Sequence, residues 1–135
     1  MFDSVLVTVF TYNEERHIRS VLEKVCEKFK NIIVVDNNST DNTLEIVSNF
    51  PVKFVRHKYN LGKSNSMKTA LDYANICNFK YLAFIDGDEQ HSVNDIEKIC
   101  SKIIEIEDGL VIGCRNDLTN LNFKKSLGTK ILNKV

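Results

Sequence analysis

A chain of 135 residues, 43% of them apolar, is long enough to bury the core of one domain, which excludes disordered and disulfide-dependent miniprotein classes. Its 18 basic and 18 acidic residues cancel, so no global field draws it to nucleic acid and no nucleic-acid partner is expected. The start, MFDSVLVTVFTYNEE, carries an acid where a signal peptide carries positive charge, and charges interrupt its apolar run before a membrane span forms. A cytoplasmic chain is expected.

Val5 to Thr11 is a β-rich apolar run and predicts a strand. Ile18, Val21, Leu22, Val25, Cys26 and Phe29 then recur at helical intervals. The pattern repeats: Asn31 to Asp36 reads as a short buried strand, and Asp41 to Phe50 has helical spacing through Leu44 and Val47, closed by Pro51. Val52 to His57 alternates like a strand, and Lys63 to Cys77 places Met67, Ala70, Leu71 and Ala74 on one helical face. Tyr81 to Ile85 is the next predicted strand. Ser92 with Asp95 resembles a capping arrangement ahead of the stripe Ile96, Ile99, Cys100 and Ile103, and Gly109 to Cys114 reads as one more strand. Alternating strands and helices with nearly continuous apolar strands predict an α/β fold, a mostly parallel sheet covered on both faces, with right-handed crossovers. Cys26, Cys77, Cys100 and Cys114 show no C-x-x-C spacing, which favours core packing in a reducing compartment over zinc or disulfides.

In such a sheet, ligands bind beyond the carboxyl ends of the strands, where strand order reverses. Those ends read TYNEE, DNNSTD and DGDEQH, and each holds a carboxylate. Neither G-x-G-x-x-G nor G-x-x-x-x-G-K-[ST] is present, which disfavours dinucleotide oxidoreductases and P-loop NTPases. A hard divalent cation, Mg2+ or Mn2+, gives a better account of the acids, because such ions are held by one or two carboxylates and completed by water and substrate phosphates. Asp86 and Asp88 fit that requirement if the chain turns at Gly87, with Gln90 able to add a neutral oxygen. Taken singly, Asp-Gly is an ordinary turn former, and DNNSTDNT also works as a turn with Ser39, Thr40 or Asp41 as a helix cap.

In order along the chain, these motifs resemble family 2 inverting glycosyltransferases, and most closely the polyprenyl-phosphate (dolichol-phosphate) mannosyl- and glucosyltransferases. TYNEE at 11 to 15 is similar to P-x-Y-N-E, IIVVDNNSTDNT at 32 to 43 to V-V-D-D-x-S-x-D-x-T, and NLGK at 60 to 63 to N-x-G-K/R. IDGDEQH at 85 to 91 is similar to D-x-D-x-Q-H, and VIGCR at 111 to 115 to V-x-G-S-R. The resemblance implies a three-layer α/β/α nucleotide-diphospho-sugar transferase (A-type glycosyltransferase) fold. It implies that Tyr12, Glu14 and Asp36 contact the nucleoside, that Lys63 approaches the nucleotide, and that Asn60 and Gly62 shape its loop. Asp86 is placed toward the ribose or sugar phosphate, Asp88 and Gln90 as metal ligands, and Arg115 against a phosphate; Asp86, Asp88 and Arg115 are the expected catalytic set.

The implied reaction moves a sugar from a UDP- or GDP-sugar donor to an acceptor, with polyprenyl phosphate expected, and inverts configuration. A phosphate acceptor is already anionic and needs no general base. The sequence departs from the family pattern at Phe10 (for proline), Asn37 (for the second aspartate) and Cys114 (for serine). Family catalytic domains continue further, so residues 1–135 are expected to form one domain holding the donor-binding portion with an incomplete acceptor region. The rival reading is a non-catalytic nucleotide-sugar-binding module. Phe123, Leu127, Ile131 and Val135, flanked by Lys124, Lys125, Lys130 and Lys134, suggest either a helix on the cytoplasmic face of a membrane or one covering the sheet; Gly128 weakens it in both cases. His91 is expected at a helix start, His17 on a helix surface and His57 at a strand end.

Overall fold

A computed structural model of the chain describes residues 2–113. Four strands, β1 (Val5–Thr11), β2 (Ile32–Asp36), β3 (Lys53–Arg56) and β4 (Tyr81–Asp86), alternate with four helices, α1 (Ile18–Lys28), α2 (Thr43–Val47), α3 (Lys63–Ile76) and α4 (Val93–Ile106). The strands form one parallel sheet in the order β3-β2-β1-β4. All residues of β1 and β2 are buried, as their unbroken apolar runs require of interior parallel strands. β3 is an edge strand and largely exposed.

Alternation along the strands sorts the core into two layers. Val5, Val7, Val9, Ile32, Val34, Ala83 and Ile85 pack with Ile18, Leu22 and Val25 of α1, Val47 of α2, and Ile96 and Cys100 of α4. On the opposite face Leu6, Phe10, Ile33 and Val35 meet Ala70 and Ala74 of α3. Each large side chain so buried contributes about 1.5–3 kcal/mol. The chain progresses from β1 to β3 with α1 and α2 on one face, then reverses direction and crosses by α3 on the other. A constant crossover hand demands that change of face.

Three expectations need correction. Met67 and Leu71 are exposed; Ala70 and Ala74 face the sheet as expected, joined there by Ser66. Small side chains at that spacing let the helix axis come close, which leaves the bulky neighbours outside. Ser92 occupies the N-cap of α4, but its hydroxyl makes no capping bond. Residues 109–113 form no strand: Gly109 has a φ of +104°, and a Cβ at Gly113 would lie 2.9 Å from Ile99 Cδ1. The segment therefore passes against α4, with Leu110 and Ile112 uncovered, rather than pairing with β4. Cys114 and the stripe Phe123, Leu127, Ile131 and Val135 lie outside the described residues.

Cys100 is fully buried, and burial pushes its thiol up to about 11, whereas Cys77 is exposed. Native protein treated with iodoacetamide at mildly alkaline pH is expected to be modified at Cys77, with Cys100 reacting only after unfolding, as read by peptide mass mapping.

Candidate functional site

The reversal of chain direction falls between β1 and β4, and a cleft of about 260 Å³ opens there at the carboxyl ends of the strands. The ladder sets its level, with Phe10 opposite Asp86 and Thr11 opposite Asp36. Phe10 and Thr11 line it from β1, Tyr12 and Glu14 from the following loop, Asn37 from the end of β2, Lys63 and Ser66 from α3, and Asp86, Gly87 and Asp88 from β4 and its turn.

Gly87 is there for space. A Cβ on it would stand 3.0 Å from the Phe10 carbonyl oxygen and 3.2 Å from Ile18 Cδ1, because its own N–H donates to that same carbonyl at 2.8 Å. Gly87→Ala is expected to cost roughly 1–3 kcal/mol by overpacking, read as a lowered urea midpoint with an unchanged slope. Beyond it Asp88 Oδ1 accepts the Gln90 N–H at 3.1 Å. Glu89, at a φ of +63°, accepts hydrogen bonds from Ser20 and Lys24 of α1, which ties the turn down.

Lys63 Nζ reaches both carboxylate oxygens of Asp86 at 2.6 Å and lies 5.9 Å from the centroid of the Phe10 ring. Facing this ion pair, the Glu14 carboxyl is held above its ordinary value, first by partial burial and then by the charge of Asp88, with smaller contributions from Asp41 and Asp86; His17 opposes them. Asp86, Asp88 and Glu14 therefore impose negative potential on one small volume. Such a donor set fits a hard divalent cation. Among the described residues no group of three or more His, Cys, Asp or Glu could hold a metal ion by itself, so an ion held by Asp88 and Asp86 would complete its shell with water and the oxygen atoms of a bound phosphate. Gln90 is exposed beside Asp88.

Asp36 stands apart from these residues. Its side chain lies on the α1 and α2 face with Val34, is fully buried, and does not line the cleft. Oδ2 accepts the Ser39 N–H at 2.9 Å and faces Arg56 Nε at 3.5 Å, and Oδ1 accepts the Ser39 hydroxyl. So placed, Asp36 does not join Glu14, Asp86 and Asp88 in lining the cleft.

The two loops after β1 and β2 satisfy each other. Asn13 N–H donates to Ser39 Oγ at 2.8 Å, Glu14 N–H to Thr43 Oγ1 at 2.9 Å and Glu15 N–H to Asp41 Oδ2 at 3.1 Å. In return Thr40 N–H donates to Asn13 Oδ1 at 2.8 Å and Asn42 N–H to Glu15 Oε2 at 3.0 Å. Asn13 and Asn38 take φ values of 55° and 71°, a conformation asparagine tolerates. None of the three proposed caps holds the N-cap position of α2, which is Asn42 and makes no side-chain capping bond; Asp41, one residue earlier, accepts the Thr43 N–H at 3.0 Å. Polar atoms of TYNEE and DNNSTDNT thus lock the two loops together, while Tyr12, 46% exposed, and Glu14 line the cleft.

Thr11 and Ser66 line the cleft without having been remarked in the sequence, beside Phe10 and Asn37, noted only as departures from the family pattern, and Gly87, expected there as the turn between the two acids. Asn37 was legible, since it directly follows the last residue of β2 and alternation turns it away from Asp36. Arg115 lies outside the described residues.

The profile of Glycosyl transferase family 2 matches residues 6–131. The chain belongs to that family. Family 2 relatives include the UDP-N-acetylglucosamine–dolichyl-phosphate N-acetylglucosaminyltransferase of Methanococcus voltae, 27% identical over 95% of this chain and 60% of that protein. Among solved structures, TarS of S. aureus superposes with a TM-score of 0.62 at 24% identity over 81% of this chain and 38% of that one. Glucosyl-3-phosphoglycerate synthase of Mycobacterium tuberculosis, in complex with Mn2+, UDP and glucosyl-3-phosphoglycerate, gives 0.53 at 23% identity over 62% and 33%. These likenesses establish the nucleotide-diphospho-sugar transferase fold. The chain spans 52–60% of the length of three curated relatives it matches, and less than half of others.

Proposed function

We propose that the cleft between β1 and β4 binds a nucleoside-diphosphate sugar, UDP- or GDP-linked, with Mg2+ or Mn2+, and that the family 2 domain to which it belongs transfers the sugar to a polyprenyl phosphate with inversion. The observation that carries this reading is the convergence of Glu14, Asp86 and Asp88 with the ammonium of Lys63 at the switch point. Carboxylates alone would repel a diphosphate. A divalent ion reverses that field and supplies charge neutralisation for the leaving diphosphate when bound.

Each residue then has a task. Asp88 and Asp86 hold the ion, with Gln90 beside them. Lys63 exchanges its Asp86 partner for a phosphate oxygen, placing positive charge where negative charge develops. Tyr12 offers a half-exposed ring to the nucleoside and Glu14 an acceptor for its N–H or O–H groups. Transfer proceeds by attack of an acceptor oxygen on the anomeric carbon, from the face opposite the nucleotide. The bond from that carbon to the diphosphate oxygen breaks, and the electron pair leaves with the nucleoside diphosphate. Arg115, two residues beyond the described segment, is assigned to a phosphate by position in its motif.

The polyprenyl phosphate acceptor is supported by the D-x-D-x-Q-H form at 86 to 91 and by the name of the Methanococcus voltae relative. In this reading the lipid phosphate is met on the cytoplasmic side of a membrane; among the described residues no helix is long and apolar enough to cross one. Isothermal titration of the purified chain with UDP and with GDP, each with and without MnCl2, tests the donor site. Manganese-dependent binding of one nucleotide is the expected result, and no binding of either would sink the proposal. Adding the UDP- or GDP-sugar and a short-chain polyprenyl phosphate separates transferase from binding module, since a binder would retain affinity and release no nucleotide.

A further inference from the structure

Lys63 is the cleft's cation, and its placement depends on the turn that precedes α3. Residues 58–62 are all exposed, so apolar burial does little to hold them. They are held instead by one buried amide. Asn37 Oδ1 accepts the Leu61 N–H at 2.8 Å, and Asn37 Nδ2 donates to Asn60 Oδ1 at 2.6 Å. Asn60 Oδ1 in turn accepts the Gly62 N–H at 3.1 Å, and Gly62, at a φ of +79°, is the N-cap residue from which α3 starts at Lys63. Asn65 Nδ2 adds a bond to Leu61 O at 2.7 Å from within α3.

The Asn37 amide is itself held by His57. The ring is 8% exposed, with Nδ1 at 3.1 Å from Asn37 Oδ1 and Nε2 at 2.8 Å from Thr69 Oγ1 of α3. Because Leu61 N–H donates to the same Asn37 atom, that atom is the carbonyl oxygen, and Nδ1 must carry the hydrogen. Nε2 then faces the Thr69 hydroxyl as an acceptor, in competition with Asn65 O, to which that hydroxyl also donates at 3.0 Å. The backbone N–H of His57 donates to Asp36 O at 2.9 Å, anchoring the residue to the end of β2. One ring thus braces the end of β2 against the second turn of α3, with the turn that delivers Lys63 suspended between them.

We propose that His57 is a positioning residue for Lys63: through Asn37 it fixes residues 60–62 and so sets the ammonium at Asp86. The inference rests on the reading that Lys63 meets the donor diphosphate.

The test compares wild type, His57→Leu, His57→Gln, His57→Asn, Lys63→Met and the double variant His57→Leu/Lys63→Met. Amide hydrogen exchange at Leu61 and Gly62 is followed in the free chain, and UDP affinity is measured with MnCl2 present. Asparagine's amide nitrogen superposes on Nδ1, whereas glutamine's reaches toward Nε2. His57→Leu and His57→Gln are expected to accelerate exchange at Leu61 and Gly62 about tenfold or more relative to β1 amides, and to weaken UDP binding about tenfold. His57→Asn is expected to recover most of both losses. In the Lys63→Met background His57→Leu is expected to cause no further loss, because the two act as one unit. Additive losses, unchanged exchange in His57→Gln, or no recovery with His57→Asn would each overturn the inference. Should His57→Leu fail to fold, the contrast between glutamine and asparagine decides alone. A wild-type chain that binds neither UDP nor GDP would overturn the donor reading and this inference with it, even with the exchange pattern as expected.

Discussion

Asp88→Ala is expected to weaken manganese-dependent UDP binding about 30- to 100-fold, equivalent to about 2–3 kcal/mol, while UDP binding without metal changes little. Its carboxylate lies in the cleft, and its hydrogen bond is a short local one to the Gln90 N–H, so removal takes away a ligand without dismantling a core contact. Titration with UDP at fixed MnCl2 reads the effect, and an unchanged affinity would remove the metal from the site. The same titration should depend on pH through Glu14. Its folded-state value is raised above the ordinary 4.5 by burial and by Asp88, so Glu14 takes up its proton at a higher pH than a free glutamate. The ionised form is the one the apo cleft disfavours, and a cation relieves it. Manganese affinity therefore falls as pH is lowered through the raised Glu14 titration, and metal binding there releases protons. Glu14→Gln is expected to flatten that portion of the profile.

Asp36→Ala is expected to destabilise the fold by about 3 kcal/mol, lowering the melting temperature by roughly 10 °C. The substitution removes the acceptor of both Ser39 groups and the partner of Arg56, and leaves a buried void at the end of β2. The UDP affinity of the molecules that remain folded should change little. A stable variant that has lost UDP affinity would return Asp36 to the nucleoside. Differential scanning calorimetry together with titration below the transition distinguishes the two outcomes.

The helices and buried strands were legible because burial on one face or both leaves a period. Val5–Thr11 is buried throughout, and Ile18, Val21, Leu22 and Val25 trace the inner stripe of α1. The stripe of α3 was read only in part: Ala70 and Ala74 lie inside as expected, but Ser66 carries little hydropathy, although its small size helps bring the helix close. Residues 109–113 are apolar enough for a strand, but a strand needs a partner, and composition does not supply one. Asp86 and Asp88 were placed in the cleft by the turn at Gly87, a local feature. The role of Asp36 depended on which side of the sheet it faced, and alternation from Val34 answers that once the strand's end is known. Pairings such as Asn13 with Ser39, or His57 with Thr69, join residues 26 and 12 apart, where no period operates.

The interlocked loops after β1 and β2 also constrain engineering. A specificity graft that swapped either segment alone would strand several main-chain donors of the other, so the pair must be transplanted as one cassette. Sequence drift in one is coupled to drift in the other, and correlated substitutions should join positions 13–15 to 39–43.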